Sequence, residues 1–160
     1  MTVSAKLEKL LLDSGFDYEV IDHPLAFTAQ EEAAASHISG RHWAKTVCVL
    51  IDGRPALAVV PATRRLDVDR LRRLAEAGSV QIAREAEFRD LFPDCELGAM
   101  PPFGGLYGQP TYVDEALETE ERIAFHGGDH RTAIEMSYRE FAQVAQPVTG
   151  EISGPLHEPA

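Results

Sequence analysis

Lys45 follows the polar pair Arg41 and His42 and leads straight into the apolar run Thr46-Val-Cys-Val-Leu-Ile51, which sets its ammonium at the mouth of a strand. A cation in that position can polarise a carbonyl or hold a carboxylate or phosphate. The simpler account is a lysine at a strand edge whose head snorkels to water. Further on, Gly98-Ala99-Met100-Pro101-Pro102 is stiff at its prolines and free at its glycine. Such a bend leaves the amides of Gly98, Ala99 and Met100 available to an anion or a developing oxyanion, although a plain proline-rich connection also fits it. It is no phosphate-binding P-loop, because no Gly-Lys-Ser/Thr follows and Gly104-Gly105 opens no evident helix.

His126-Gly127-Gly128-Asp129-His130 gathers two imidazoles and a carboxylate within five residues. The glycines argue against a helical pair of ligands, and no H-E-x-x-H motif or cysteine cluster supports a metal. No metal and no cofactor is therefore expected; Gly127-Gly128 reads as a turn beside a pocket, with His130 at its rim. His23, His37, His42 and His157 have no partner that spacing can name. No G-x-S-x-G or comparable Ser/His/Asp arrangement supplies a nucleophile.

These groups need elements to hold them. Leu7, Leu10 and Leu11 recur at helical spacing between Ser4 and Gly15, predicting a first helix; Phe16 to Ile21 reads as a strand closed by His23-Pro24. Thr28-Ala-Gln-Glu31 has capping-box spacing ahead of an alanine-rich stretch, which gives Thr28 a structural role. Lys45–Ile51 and Pro55–Val60 flank Asp52-Gly53, the signature of a β-hairpin. Asp67 is placed to cap a helix through Leu74, Ser79–Ala83 to form a strand, and Glu85–Phe92 a helix stopped by Pro93. After the loop Gly98–Pro110 come strands at Thr111–Val113, Arg122–Phe125 and Arg131–Met136, and Ser137 caps a helix running to about Val144. Without a regular βαβ rhythm, this order predicts an α+β fold: a single compact domain with a mixed, largely antiparallel β-sheet partly covered by helices.

The 160 residues carry 15 Lys+Arg against 26 Asp+Glu, a formal charge of −11, with 44% hydrophobic residues. That is enough for one domain with its own core, and it excludes disorder. No apolar run reaches membrane-spanning length and Met1–Leu12 lacks a signal-peptide core, so neither a membrane partner nor secretion is expected. Cys48 and Cys95 have no C-x-x-C partner and read as reduced structural thiols, which fits a cytoplasmic location. The acidic total disfavours wrapping of duplex DNA. Five arginines at 64, 65, 70, 72 and 73 against Asp67 and Asp69 make one basic patch, whose simplest account is a solvated helix face.

Taken in order, Lys45 at the start of a hairpin, the G-x-x-x-P loop at 98–102 extended to Phe103-Gly104, Val113-Asp114 and the late Gly127-Gly128 resemble the YbaK/ProX family of aminoacyl-tRNA editing domains, related to an insertion domain of bacterial prolyl-tRNA synthetase. The resemblance covers roughly residues 5 to 146, so residues 1–146 are expected to be the deacylase domain and 147–160 a flexible tail. It implies hydrolysis of the ester of a mischarged tRNA carrying a small amino acid, acting in trans, with the acceptor end of the tRNA as substrate and an aminoacyl-tRNA synthetase as a partner. Lys45 anchors the aminoacyl-adenosine end in that picture, while the amides of Gly98, Ala99 and Met100 hold the scissile carbonyl and no protein nucleophile takes part. Thr28, Thr46, Pro102, Phe103, Gly127, Gly128 and His130 are the expected substrate-binding residues, and Arg41, Arg64 and Arg65 the expected contacts to tRNA. Phe27, Val47, Met100 and Phe103 are expected to size the amino-acid pocket. Thr46 stands where some relatives carry a polar amide, which leaves the preference open among alanine, cysteine, serine and threonine. The competing readings are a non-catalytic module that binds tRNA or an amino acid, and a synthetase-associated subunit.

Overall fold

Ser4 accepts a hydrogen bond from the Leu7 amide at 3.3 Å, and Gly15 ends the first helix in the left-handed region at φ 75°, so α1 occupies Ala5–Ser14. The same local grammar builds α2 (Ala29–Ala35), where the Thr28 hydroxyl and the Glu31 side chain close a reciprocal capping box. The computed structural model describes residues 3–156. Between and after these helices run β1 (Glu19–Asp22), β2 (Ala44–Ile51), β3 (Arg54–Pro61), β4 (Arg64–Leu66), α3 (Val68–Leu74), β5 (Val80–Ile82), α4 (Glu85–Phe88), β6 (Thr111–Asp114) and α5 (Glu115–Glu118). The chain continues through β7 (Arg122–His126), β8 (Thr132–Ser137), α6 (Tyr138–Ala145), β9 (Val148–Gly150) and β10 (Ser153–Pro155).

The hairpin β2–β3 pairs from Ala44 opposite Pro61 to Ile51 opposite Arg54 and forms the centre of a five-stranded sheet ordered β5-β2-β3-β6-β9. A second sheet, β1-β8-β7, lies beside it, joined by a parallel bridge between the fully buried Trp43 and Ala124. A third pairing, β10 with β4, closes one edge. Antiparallel pairs dominate, with β3–β6 and β6–β9 the parallel ones, so the domain is α+β and mixed as expected, although the strands divide among three sheets rather than one. Among the described residues no helix is long and apolar enough to cross a membrane.

The main core forms where α1 and α6 pack on both larger sheets. Leu7, Leu11, Ile123, Ile134 and the rings of Phe103, Phe125 and Phe141 meet there, with Phe103 5.3 Å from Phe125 and 5.2 Å from Phe141. A second core, with Val49, Val60, Leu66, Leu71 and Ile152, lies under α3.

Three local expectations change. The first strand begins at Glu19 rather than Phe16, and the helix expected over Glu85–Phe92 is α4 followed by a 3-10 turn at Arg89–Leu91. Gly104-Gly105 does open a short 3-10 turn, Gly104–Tyr107, because the Gly104 amide is held by the Thr111 hydroxyl at 2.8 Å and a Cβ there would collide with the Gln109 carbonyl at 2.5 Å.

The largest correction concerns the tail expected after Pro147. Residues 148–155 form two strands: β9 extends the central sheet beside β6, and β10 pairs with β4. Between them Ile152 is fully buried, its amide donating to Asp114 Oδ1 (2.9 Å) and its carbonyl accepting from Asp67 (2.8 Å). Short strands with one apolar anchor carry little periodic signal, which is why the sequence reads there as a loose end. His157 lies outside the described residues. Ile152→Ala is expected to cost about 2–4 kcal/mol through loss of burial and the cavity left behind. A urea-unfolding midpoint equal to that of the unaltered protein would show the segment to be dispensable.

Candidate active site

Lys45 enters the fold as the second residue of β2, opposite Val60. Its side chain is half-buried, its Nζ meets the Arg64 carbonyl at 3.4 Å, and among the described residues no carboxylate pairs with it. Removal from water lowers the pKa of this ammonium. It lines a hollow of about 420 Å³ at the end of the hairpin, a volume within the range of small-ligand sites. A larger hollow of about 760 Å³ lies between Ile51, Tyr107 and Tyr112 and contains none of the residues expected at a site.

Several residues far apart in the sequence meet in the first hollow: Thr28 from the cap of α2, Thr46 and Val47 from β2, and Gly98 and Met100 from the loop. Lys45 and that loop therefore border one cavity. The Thr46 hydroxyl is buried without a hydrogen-bond partner among the described residues. Phe27 stands at the edge, 65% exposed. Cys48 also borders the hollow; burial pushes its thiol up to about 12, so at neutral pH it is no thiolate nucleophile.

In the loop, Gly98 adopts φ 84° and a Cβ on it would meet His130 Cε1 at 3.6 Å. The expected trio of amides is reduced to two: the Ala99 N–H donates to the Glu96 carbonyl at 3.0 Å, while those of Gly98 and Met100 have no acceptor among the described residues. Ala99 itself is buried.

Other expected site residues lie elsewhere. Phe103 is 1% exposed and turned into the aromatic core, and Pro102 is buried beside it, so neither borders the hollow. Gly127 and Gly128 serve a close approach, but of protein: their carbonyls accept from Ser4 N and Glu96 N, both at 2.7 Å, and a Cβ on Gly128 would stand 2.9 Å from Ser4 Cβ. His130 is buried rather than at a rim; its Nε2 meets the Leu97 carbonyl at 2.8 Å and its ring lies 5.0 Å from that of Phe27.

The basic patch is engaged by its own neighbours, three arginines by carboxylates and two by neutral acceptors. Arg64 bonds Ser153 Oγ at 2.7 Å, Arg65 the Pro155 carbonyl at 3.1 Å, and Arg70, Arg72 and Arg73 pair with Asp67, Asp69 and Glu151. Arg41 remains largely exposed, 3.7 Å from Glu120.

One residue escaped sequence reasoning altogether. Glu32 of α2 is 0% exposed and sits among His23, His126 and His130, with His23 Nε2 at 2.6 Å from its Oε2. Burial, then the nearby carboxylate of Asp129, pushes its pKa up to about 8, while burial and then His130 bring His126 down to about 4. The available signal was a carboxylate on the small-residue stripe Ala29, Ala33 and Ser36, the face that α2 turns inward.

Comparison with known proteins bears on this geometry. The crystal structure of a hypothetical protein superposes with a TM-score of 0.83 at 25% identity, covering 93% of this chain and 99% of that one. A candidate trans-editing enzyme for prolyl tRNA synthetase does so with a TM-score of 0.81 at 22% identity, covering 94% and 96%. No curated protein matches the chain. The profile of the aminoacyl-tRNA editing domain matches residues 23–144, which include the hairpin, the Gly98 loop and the buried histidines. The family suggested by the order of Lys45, the G-x-x-x-P loop and the paired glycines is thus borne out: the chain belongs to the aminoacyl-tRNA editing domain family.

Proposed function

We propose that this protein is a trans-acting deacylase that hydrolyses the ester between a small amino acid and a mischarged tRNA in the cytoplasm. The observation that carries the reading is the meeting of Lys45, Thr46 and the Gly98 loop around one hollow in a chain of the editing family. In the reaction Lys45 holds the aminoacyl-adenosine end by charge. The amides of Gly98 and Met100 receive the negative charge that develops on the scissile carbonyl. Water attacks, positioned by the substrate's own ribose hydroxyl, and the ester breaks to release the amino acid and the tRNA 3′ hydroxyl. With Cys48 held as a thiol, orientation and charge stabilisation are the protein's contribution.

The hollow's walls set which residue is removed. Thr46 borders the space, and Val47, Met100 and Phe27 supply apolar surface that admits a small side chain and excludes a bulkier one. Because the chain carries a charge of −11, binding rests on few phosphate contacts, among which the exposed Arg41 is one. A synthetase partner that presents the tRNA would compensate. The structural neighbour linked to prolyl tRNA synthetase supports that setting.

The test is release of amino acid from a panel of tRNAs mischarged with alanine, cysteine, serine or threonine. Selective turnover of one or two is the expected result, and binding without turnover across the panel would favour the non-catalytic module. A second measurement addresses the loop. Gly98→Val forces a β-branched residue into the left-handed region at about 1–2 kcal/mol while meeting only an ordinary contact with His130, so the protein folds and its loop shifts. Deacylation then falls roughly 10-fold or more, since misplaced donors lose most of their effect. Unchanged turnover would remove the oxyanion role.

A further inference from the structure

We propose that Glu32, His126 and His130 form a binding site for a divalent cation of the zinc class, set beneath the wall of the hollow. His126 Nδ1 lies 3.4 Å and His130 Nδ1 3.6 Å from Glu32 Oε1, and the three atoms all fall within 4.8 Å of one another. Ligand bonds of about 2.0–2.1 Å in tetrahedral arrangement place neighbouring donor atoms about 3.3 Å apart. The two sides that meet at Glu32 already have nearly that spacing, and the third, between the imidazoles, closes as the rings turn onto an ion. All three side chains are more than nine-tenths buried, and none of the three atoms has a hydrogen-bond partner among the described residues.

The far nitrogens of two rings are already engaged, so their near nitrogens converge on Glu32. His130 Nε2 faces the Leu97 carbonyl at 2.8 Å and must donate to it, which leaves a lone pair on Nδ1 of the neutral ring, aimed at Glu32. His23 Nδ1 likewise faces the Pro24 carbonyl at 2.7 Å, so its Nε2 presents a second lone pair to Glu32 Oε2. A cation bound to Glu32 Oε1, His126 Nδ1 and His130 Nδ1 gives each of these unpartnered atoms a ligand bond, with His23 beside Oε2 and the Leu97 carbonyl on His130 Nε2 as the outer contacts. Among the described residues no lysine or arginine pairs with Glu32, and Asp129, Glu31 and Glu96 add negative field around it. Two imidazoles and a carboxylate suit zinc or cobalt and leave a fourth position for water.

The full chain, stripped with a chelator, is titrated with Co²⁺ followed by visible absorption and with Zn²⁺ followed by thermal unfolding. One equivalent of Co²⁺ giving bands of tetrahedral intensity is expected, and Zn²⁺ at about 100 times its Kd raises Tm by roughly 5–10 °C. The near-isosteric Glu32→Gln and His126→Asn each weaken Co²⁺ binding by about 100-fold or more, and His23→Phe by about 10–100-fold. Absence of both signals in the unaltered protein overturns the site, as does stoichiometric binding that survives in the Glu32→Gln, His126→Asn double variant. These readouts are independent of deacylation, so the site and the editing reaction stand or fall separately.

Discussion

Lys45→Ala lowers the rate of deacylation by about 10²–10³-fold, the loss seen when one pre-aimed charged donor is removed from a reacting site. Stability moves little, or rises. The ammonium is half-buried, its pKa is lowered by desolvation, and its one described contact is a long hydrogen bond to the Arg64 carbonyl at 3.4 Å. A cation placed like that is a cost to folding rather than a support. Lys45→Met separates charge from packing, because it keeps an unbranched apolar stem beside Thr46 while removing the ammonium. The expected outcome is the same loss of turnover in both variants, with thermal midpoints at or above that of the unaltered protein. Equal deacylation rates for the unaltered protein and Lys45→Met would show that the charge takes no part.

How far the sequence could be read depends on the range over which each feature is determined. Ser4, Gly15, Thr28, Asp67 and Ser137 act within a few residues of themselves, and each caps its helix as its spacing predicts. The hairpin is equally local, since Asp52-Gly53 turns β2 onto β3. Thr46 and Met100 meet across an interval of the chain that no spacing rule links; the order of family motifs, not periodicity, placed them in one site. The misassignments share one physical cause, which is that position along the chain does not give side-chain direction. Phe103 follows the loop that borders the hollow, yet its ring points into the core. Gly127-Gly128 makes room for Ser4 rather than for a ligand. Arg64 and Arg65 look like free charge until β10 is seen to lie across them. Glu32 escaped because its three histidine neighbours come from β1's end and from β7 and its turn.

That difference between chain position and side-chain direction gives the second large effect. Phe103→Ala costs about 3–5 kcal/mol of folding stability, because a ring that is 1% exposed and set edge-on against both Phe125 and Phe141 leaves a cavity its rigid neighbours cannot fill. At the assay temperature the surviving folded fraction is expected to keep its selectivity among mischarged tRNAs, since the hollow's wall is intact. Phe27→Ala does the opposite. With 65% of the residue exposed at the edge of the hollow, its loss changes stability by less than about 1 kcal/mol, yet removes an apolar wall and narrows the discrimination between small and larger aminoacyl groups. Urea midpoints and deacylation ratios for the two variants separate the roles. A Phe103→Ala protein of unchanged stability but altered selectivity would return that ring to the pocket, and would require the Gly98 loop to carry Phe103 outward when substrate binds.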